Sequence, residues 1–173
     1  MPLENPENKE ALNFTIDLAR DEDLEKINEI NNCPEEHLDF LDRQKRGELK
    51  FFVIRVGDEI AGYVGLYFDH QSAHFSEIKG PYLEGLVVNP KFRKKGLGKR
   101  LLEICEKEIK DAGGHDLTLA VLSTNQRALN FYKGSGYQEI PDTKFEPPKN
   151  SGQEKTEYGY YLRKKIVTDE TSK

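Results

Sequence analysis

Between residues 14 and 166 the chain switches repeatedly between the two-residue alternation of strands and the three-to-four-residue recurrence of helices. FTIDLA at 14–19 predicts a strand, and RDEDLEKINEIN after it sets Leu24, Ile27 and Ile30 on one side of a helix. A second helix is predicted over 34–46. KFFVIRVGDEIAGYVGLYF is two β-rich runs broken by Gly57-Asp58-Glu59, which predicts an antiparallel hairpin. PYLEGLVVN at 81–89 is a further strand, and GLGKRLLEICEKEIKDAGG is an amphipathic helix stopped by Gly113-Gly114. DLTLAVLS then predicts a strand, NQRALNFYKGSG a short helix capped by Asn125, and YQEI with EYGYYLRKKI a final strand pair. This order predicts an α/β (α+β) class: a mixed sheet with helices on both faces and no internal repeat. Residues 1–12 and 168–173 are polar with little periodicity, so flexible termini are expected around a single domain at 13–167.

A length of 173 residues agrees with one domain. The hydrophobic fraction of 36% is modest but sufficient for a core, which excludes wholesale disorder. With 26 basic and 31 acidic residues the net charge is −5, so neither nucleic acid nor an anionic membrane is an expected partner. No apolar run approaches a membrane span, and MPLENPENKE lacks the features of a signal peptide, so a cytoplasmic location is expected. Cys33 and Cys105 form neither a disulfide framework nor a zinc pattern and are read as reduced thiols. His70 and His74 lack a clear third ligand and are read as solvated loop histidines, so no metal is expected.

The most informative stretch is VVNPKFRKKGLGKRLLE: a strand, a proline that ends it, a basic glycine loop and a helix start. Backbone amides, the positive end of the helix and residues without side chains make an anion site in outline. A Walker loop is excluded because Gly98-Lys99 is followed by Arg100 and Arg93 stands where the first glycine belongs. A dinucleotide fingerprint is excluded because Gly96 and Gly98 lead to Leu101 instead of a third glycine.

The stretch Arg93-Lys94-Lys95-Gly96-Leu97-Gly98 resembles the acetyl-CoA loop of the GNAT superfamily of N-acetyltransferases. NQRALNFYKGSGY is similar to a second block of that family, with Asn125, Ala128, Phe131, Tyr132, Gly136 and Tyr137 in place. The resemblance implies a GNAT-like, mostly antiparallel central sheet flanked by helices, and acetyl-CoA as cosubstrate. By the same resemblance the backbone of Arg93, Lys94, Lys95, Gly96, Leu97, Gly98 and Lys99 holds the pyrophosphate. The main chain of Leu86, Val87 and Val88 polarises the thioester carbonyl. Arg93, Lys94, Lys95, Lys99 and Arg100 concentrate cations locally in a chain that is acidic overall, which fits an anionic ligand.

Two-residue alternation places Tyr82, Glu84, Leu86 and Val88 on one face, leaving a carboxylate among apolar neighbours. Such a group is either paired in a salt bridge or functional. YLEGLVVNPKFRKKGLG resembles spermidine/spermine-type (diamine) acetyltransferases, the nearest group in motif, whose matching glutamate is implicated as the base, so the resemblance gives Glu84 that role. Gly85 departs from the aspartate usual there, which puts polyamine specificity in doubt. Asn125, Ala128 and Tyr132 share one helix face toward the cofactor, and the resemblance makes Tyr132 the general acid. A phenol is protonated at neutral pH and suits that task, while a core tyrosine is the plain alternative.

LAVLSTN at 119–125 carries Leu122 where protein N-terminal acetyltransferases often have arginine, so a small-molecule primary amine is the expected acceptor. A direct ternary-complex transfer is expected, with protein N-terminal or lysine acetylation as the alternative and a silent acyl-CoA-binding module as a second. The polar segment 141–156 is read as a wall or lid over the acceptor, or as a floppy excursion. Glu35, Glu36, Asp39 and Asp42 are read as a solvated acidic helix face. The oligomeric state is open, a homodimer included.

Overall fold

The computed structural model describes residues 12–147 and 157–167. The expected flexible termini therefore lie outside the described residues, Leu12 excepted, as does the second half of the 141–156 segment.

The elements run β1 (Thr15–Leu18), α1 (Leu24–Ile30), α2 (Pro34–Lys45), β2 (Leu49–Val56), β3 (Glu59–Gln71), β4 (Lys79–Val88), α3 (Leu97–Asp111), β5 (Asp116–Leu122), α4 (Gln126–Gly134), β6 (Gln138–Glu139) and β7 (Gly159–Lys165). The seven strands form one mixed sheet in the order β1-β2-β3-β4-β5-β7-β6, antiparallel throughout except where β4 meets β5. This matches the expected α/β architecture.

The apolar run Phe51-Phe52-Val53-Ile54 does not alternate because both faces of β2 are covered. Phe51 and Val53 pack with Ile27, Phe40 and Leu41 of α1 and α2. Phe52 and Ile54 belong to the opposite core, with Leu101, Cys105 and Ile109 of α3 and Leu129 of α4. Leu97, Leu101, Cys105 and Ile109 recur every four residues and form the buried stripe of α3. Asp23, buried before α1, accepts two bonds from the Arg55 guanidinium (2.9 and 2.8 Å) and one from the Arg20 amide (2.8 Å), which ties that turn to β2.

One strand corrects the alternation. Between the pairs Tyr63↔Val87 and Gly65↔Glu84, β4 uses three residues where β3 uses two, a bulge centred on Gly85. Gly85 has φ +66°, and a Cβ there would stand 3.2 Å from the Phe40 ring, so both conformation and space demand glycine. The extra residue reverses every side chain after it. Tyr82 faces the α1/α2 core with Val87, whereas Leu86 and Val88 pack on the α3/α4 core. Glu84 therefore does not share a face with Leu86 and Val88.

Candidate active site

The bulge also opens the sheet. Below it β4 and β5 pair in parallel at Tyr82↔Thr118, the single registered pair between them, and above it the two strands part. The main chain of Leu86, Val87 and Val88 is thereby left without a β5 partner, and two cavities fill the gap.

The larger, about 550 Å³, is bordered by Leu86, Val87 and Val88 on one side, by Arg93, Lys94, Gly96, Leu97, Gly98 and Lys99 below, and by Asn125, Ala128 and Tyr132 on α4. Of the residues expected at the cofactor, Lys95 alone is outside this lining; it is exposed, its Nζ 5.8 Å from the Phe92 ring centre. Ile30, Asn31, Phe92, Arg127 and Phe131 also line the cleft and were not singled out from the sequence. Phe131 stood in the matched block and Arg127 follows the cap, so both carried a local signal; Ile30 and Asn31 arrive through the fold alone.

The loop has the features of an anion site. Lys94 (φ 61°) and Gly96 (φ 78°) are both left-handed, which turns successive amides to one side of the loop. The first bond of the α3 ladder runs from the Arg100 amide to the Gly96 carbonyl at 3.2 Å, so the amides before it stand outside the helix's own hydrogen bonding. Arg93 Nε donates to the Val88 carbonyl (3.2 Å), fastening the loop to β4, and Arg100 pairs with Glu103 (3.0 Å). A Cβ on Gly98 would meet Val88, Phe131 and Leu86 at 3.5, 3.6 and 3.8 Å, all of them cleft walls. Asn125 caps α4 as expected, its Oδ1 accepting from the Ala128 amide at 3.1 Å.

The smaller cavity, a slot of about 230 Å³, lies between Tyr82, Leu83, Glu84 and Gly85 of β4 and Leu119, Ala120, Val121 and Leu122 of β5, closed by Tyr132 and Phe145. Burial raises the pKa of Glu84, and the neighbouring Glu36 carboxylate adds to the rise; the Tyr67 hydroxyl, which donates to it, and Arg43 pull the other way. Arg43 is itself bound to Asp39 at 2.6 Å, and among the described residues Glu84 forms no salt bridge. Glu35, Glu36, Asp39 and Asp42 form an exposed acidic face, as expected; the Glu36 carboxylate reaches over Gly85, 3.5 Å from where a Cβ there would stand, and partial burial raises its pKa too.

Tyr132 borders both cavities and is, among the described residues, the one common to their walls. Burial pushes its pKa up, with the Cys105 thiol behind it, so the phenol keeps its proton. Cys105 is fully buried, its own pKa is raised by burial, and neither it nor Cys33 lines either of these two cavities.

His70 is not a solvated loop residue, whereas His74 is exposed in a loop, as expected. The strand β3 extends to Gln71, so His70 stacks on Tyr82 at 4.2 Å, and His74 stacks on Phe145 at 4.5 Å. Among the described residues no cluster of His, Cys, Asp or Glu could hold a metal ion, and no helix is long and apolar enough to cross a membrane. Behind the cleft, Asn31 Nδ2 donates to the Tyr63 hydroxyl (3.2 Å), which reaches His37 Nε2 (2.9 Å), while His37 Nδ1 meets Asn28 Oδ1 at 2.6 Å. These bonds suit a neutral His37 whose Nδ1 donates to Asn28 and whose Nε2 accepts from the Tyr63 hydroxyl, and burial lowers its pKa in the same direction.

Residues 16–137 match the acetyltransferase (GNAT) family. The chain is 27% identical over 147 residues to an N-alpha-acetyltransferase of Sulfurisphaera tokodaii, covering 80% of this chain and 88% of that one. It is 33% identical over 86 residues to a thialysine N-epsilon-acetyltransferase of Bos taurus, covering 50% of this chain and 49% of that enzyme, so the match spans about half of that relative. Among solved structures, the ribosomal-protein-S18-alanine N-acetyltransferase from Escherichia coli superposes with TM-score 0.70 at 18% identity, over 93% of this chain and 99% of that one. The structure of yncA from Salmonella typhimurium with its cofactor acetyl-CoA gives TM-score 0.68 at 18% identity, over 92% and 96%. At such identities the structural likeness speaks for the fold.

Proposed function

The chain belongs to the acetyltransferase (GNAT) family, and on that premise we propose that it moves an acetyl group from acetyl-CoA directly to the primary amine of a small molecule. The observation that carries this reading is the position of Tyr132 between the two cavities. An acetyl group at the inner end of the cleft meets an amine in the slot at that point, with no protein nucleophile between them.

The glycine loop and the start of α3 take the pyrophosphate, Lys94 and Lys99 add charge, and the unpaired main chain of Leu86, Val87 and Val88 receives the pantetheine arm and the thioester carbonyl. Glu84 takes a proton from the entering ammonium, directly or through water. The amine nitrogen then bonds to the carbonyl carbon, the carbon–sulfur bond breaks, Tyr132 gives its proton to the departing thiolate, and the surplus proton on the new amide nitrogen leaves through water, from which Tyr132 is reprotonated. The raised pKa of Glu84 makes it a better base, and the buried Tyr132 phenol holds its proton until sulfur needs it.

The acceptor reading is supported by the narrow slot, by the carboxylates of Glu84 and Glu36 beside it, and by the half-length likeness to a thialysine N-epsilon-acetyltransferase. The likeness to an N-alpha-acetyltransferase over most of both chains favours a second reading, acetylation of a protein N-terminus, for which Leu122 at the slot offers no charge. Initial rates over a grid of acetyl-CoA and amine concentrations test the direct transfer. Intersecting reciprocal plots are expected, and parallel ones would mean a covalent acetyl-enzyme.

A further inference from the structure

We propose that Phe145, seated on Gly159, is the selectivity wall of the acceptor slot and restricts it to amines borne on an unbranched carbon. The inference rests on the acetyl-transfer reading of the slot and deepens it. Phe145 lies outside every regular element, yet two backbone bonds of 2.9 Å each, Phe145 amide to Gly159 carbonyl and the reverse, pin it to the start of β7. Its ring occupies the space a side chain at position 159 would need: a Cβ on Gly159 would fall 2.3 Å from the ring. His74 stacks on the ring at 4.5 Å and 16°, and Tyr161 packs beside it at 5.3 Å. Tyr161 is held in turn by Ser72, oxygen to oxygen at 2.8 Å, and Thr143 Oγ1 accepts from the Tyr161 amide at 3.2 Å.

A ring bridged to Gly159 by its own backbone and flanked by His74 and Tyr161 retreats from a wider ligand only by giving up those contacts. The opposite wall is Glu84 and Tyr82 on β4, whose position the bulge at Gly85 sets, so the width of the slot is determined from both sides. A slim terminal amine passes between them to Tyr132, whereas a methyl group on the amine-bearing carbon meets the ring. For a hydrophobic pocket one such carbon changes kcat/KM by about 10- to 200-fold.

The test compares 1-aminobutane with 2-aminobutane, and 1,4-diaminobutane with 2,5-diaminohexane, in wild type, Phe145→Ala, Phe145→Leu and Gly159→Ala. Wild type is expected to favour each unbranched amine at least tenfold in kcat/KM. Phe145→Ala should erase most of that preference, and Phe145→Leu should reduce it with less risk to the fold. Gly159→Ala, which drives the ring into the slot, should raise the acceptor KM about tenfold or more while leaving the acetyl-CoA KM unchanged. Adding Phe145→Ala to Gly159→Ala should restore the acceptor KM, a rescue that loss of structure would not give. Turnover with an unchanged branched-to-unbranched ratio in both Phe145 variants overturns the wall but leaves acetyl transfer standing. No turnover of any amine by wild type overturns the acetyl-transfer reading itself, and the wall with it.

Discussion

Replacing Gly98 by alanine should separate stability from cofactor affinity, with opposite signs. Gly98 lies in the first turn of α3, and its φ is not in the left-handed region, so an L-residue fits the backbone. The new methyl would meet Val88, Phe131 and Leu86 at 3.5, 3.6 and 3.8 Å, ordinary contacts that ask nothing to move. Alanine in place of glycine in a helix contributes about 0.5–1 kcal/mol. For a chain of this size that raises Tm by about 1–4 °C. The three residues contacted are all walls of the cleft, so the same methyl stands where a phosphate-bearing ligand must come close to the helix start. Overpacking at such a contact costs about 1–3 kcal/mol in the complex, which weakens binding about 5- to 150-fold. Gly98→Val should weaken it further. Calorimetric titration with CoA beside a thermal melt gives both signs in one preparation. A variant that melts no lower than wild type and binds CoA within about twofold of it would refute the placement of the pyrophosphate at this turn.

Glu84→Gln should keep CoA affinity and lose about 100-fold or more in turnover. Because the Glu84 pKa is raised above the ordinary carboxylate value, wild-type kcat/KM should rise with pH through that raised pKa, and this limb should vanish in the variant; a persisting limb assigns it to another group. Tyr132→Phe keeps the ring, so acetyl-CoA binding should change little while turnover falls about 100-fold or more, and a fall of only a fewfold would leave Tyr132 as packing. His37 has a folded pKa below its unfolded 6.5, so its contribution to stability is complete above pH 6.5 and is lost as pH falls below it. Urea midpoints measured at pH 7.5 and 5.5 should therefore drop in wild type and drop less in His37→Gln, the smaller remaining loss including His70, whose pKa burial also lowers; equal drops would clear His37.

The parts of the site that are local in sequence were legible before the fold. Asn125 announces its cap through the helical run that follows, and Gly96 and Gly98 stand at a strand-loop-helix junction whose anion chemistry depends on neighbouring residues alone. The face of Glu84 was misread because alternation assumes an unbroken pleat. Gly85, a glycine inside a strand, was the available sign of a bulge, yet its consequence depends on which β3 residue it opposes. Phe145 falls in the segment read as a wall or lid over the acceptor, yet nothing in the sequence marks it there, since its value comes from Gly159, His74 and Tyr161, brought together by the closing of the sheet. Glu36 likewise reads as one more acidic residue on a charged helix until Gly85 is set against it.

The central claim, that Tyr132 joins an acetyl-CoA cleft to an amine slot, is tested most directly by thiol release from acetyl-CoA, with and without a primary amine, in the wild-type protein. Release that requires the amine, saturates in both substrates and yields one acetylated amine for each free thiol is the predicted result. Tight acetyl-CoA binding with no amine-dependent release, from small amines and peptide N-termini alike, would contradict it.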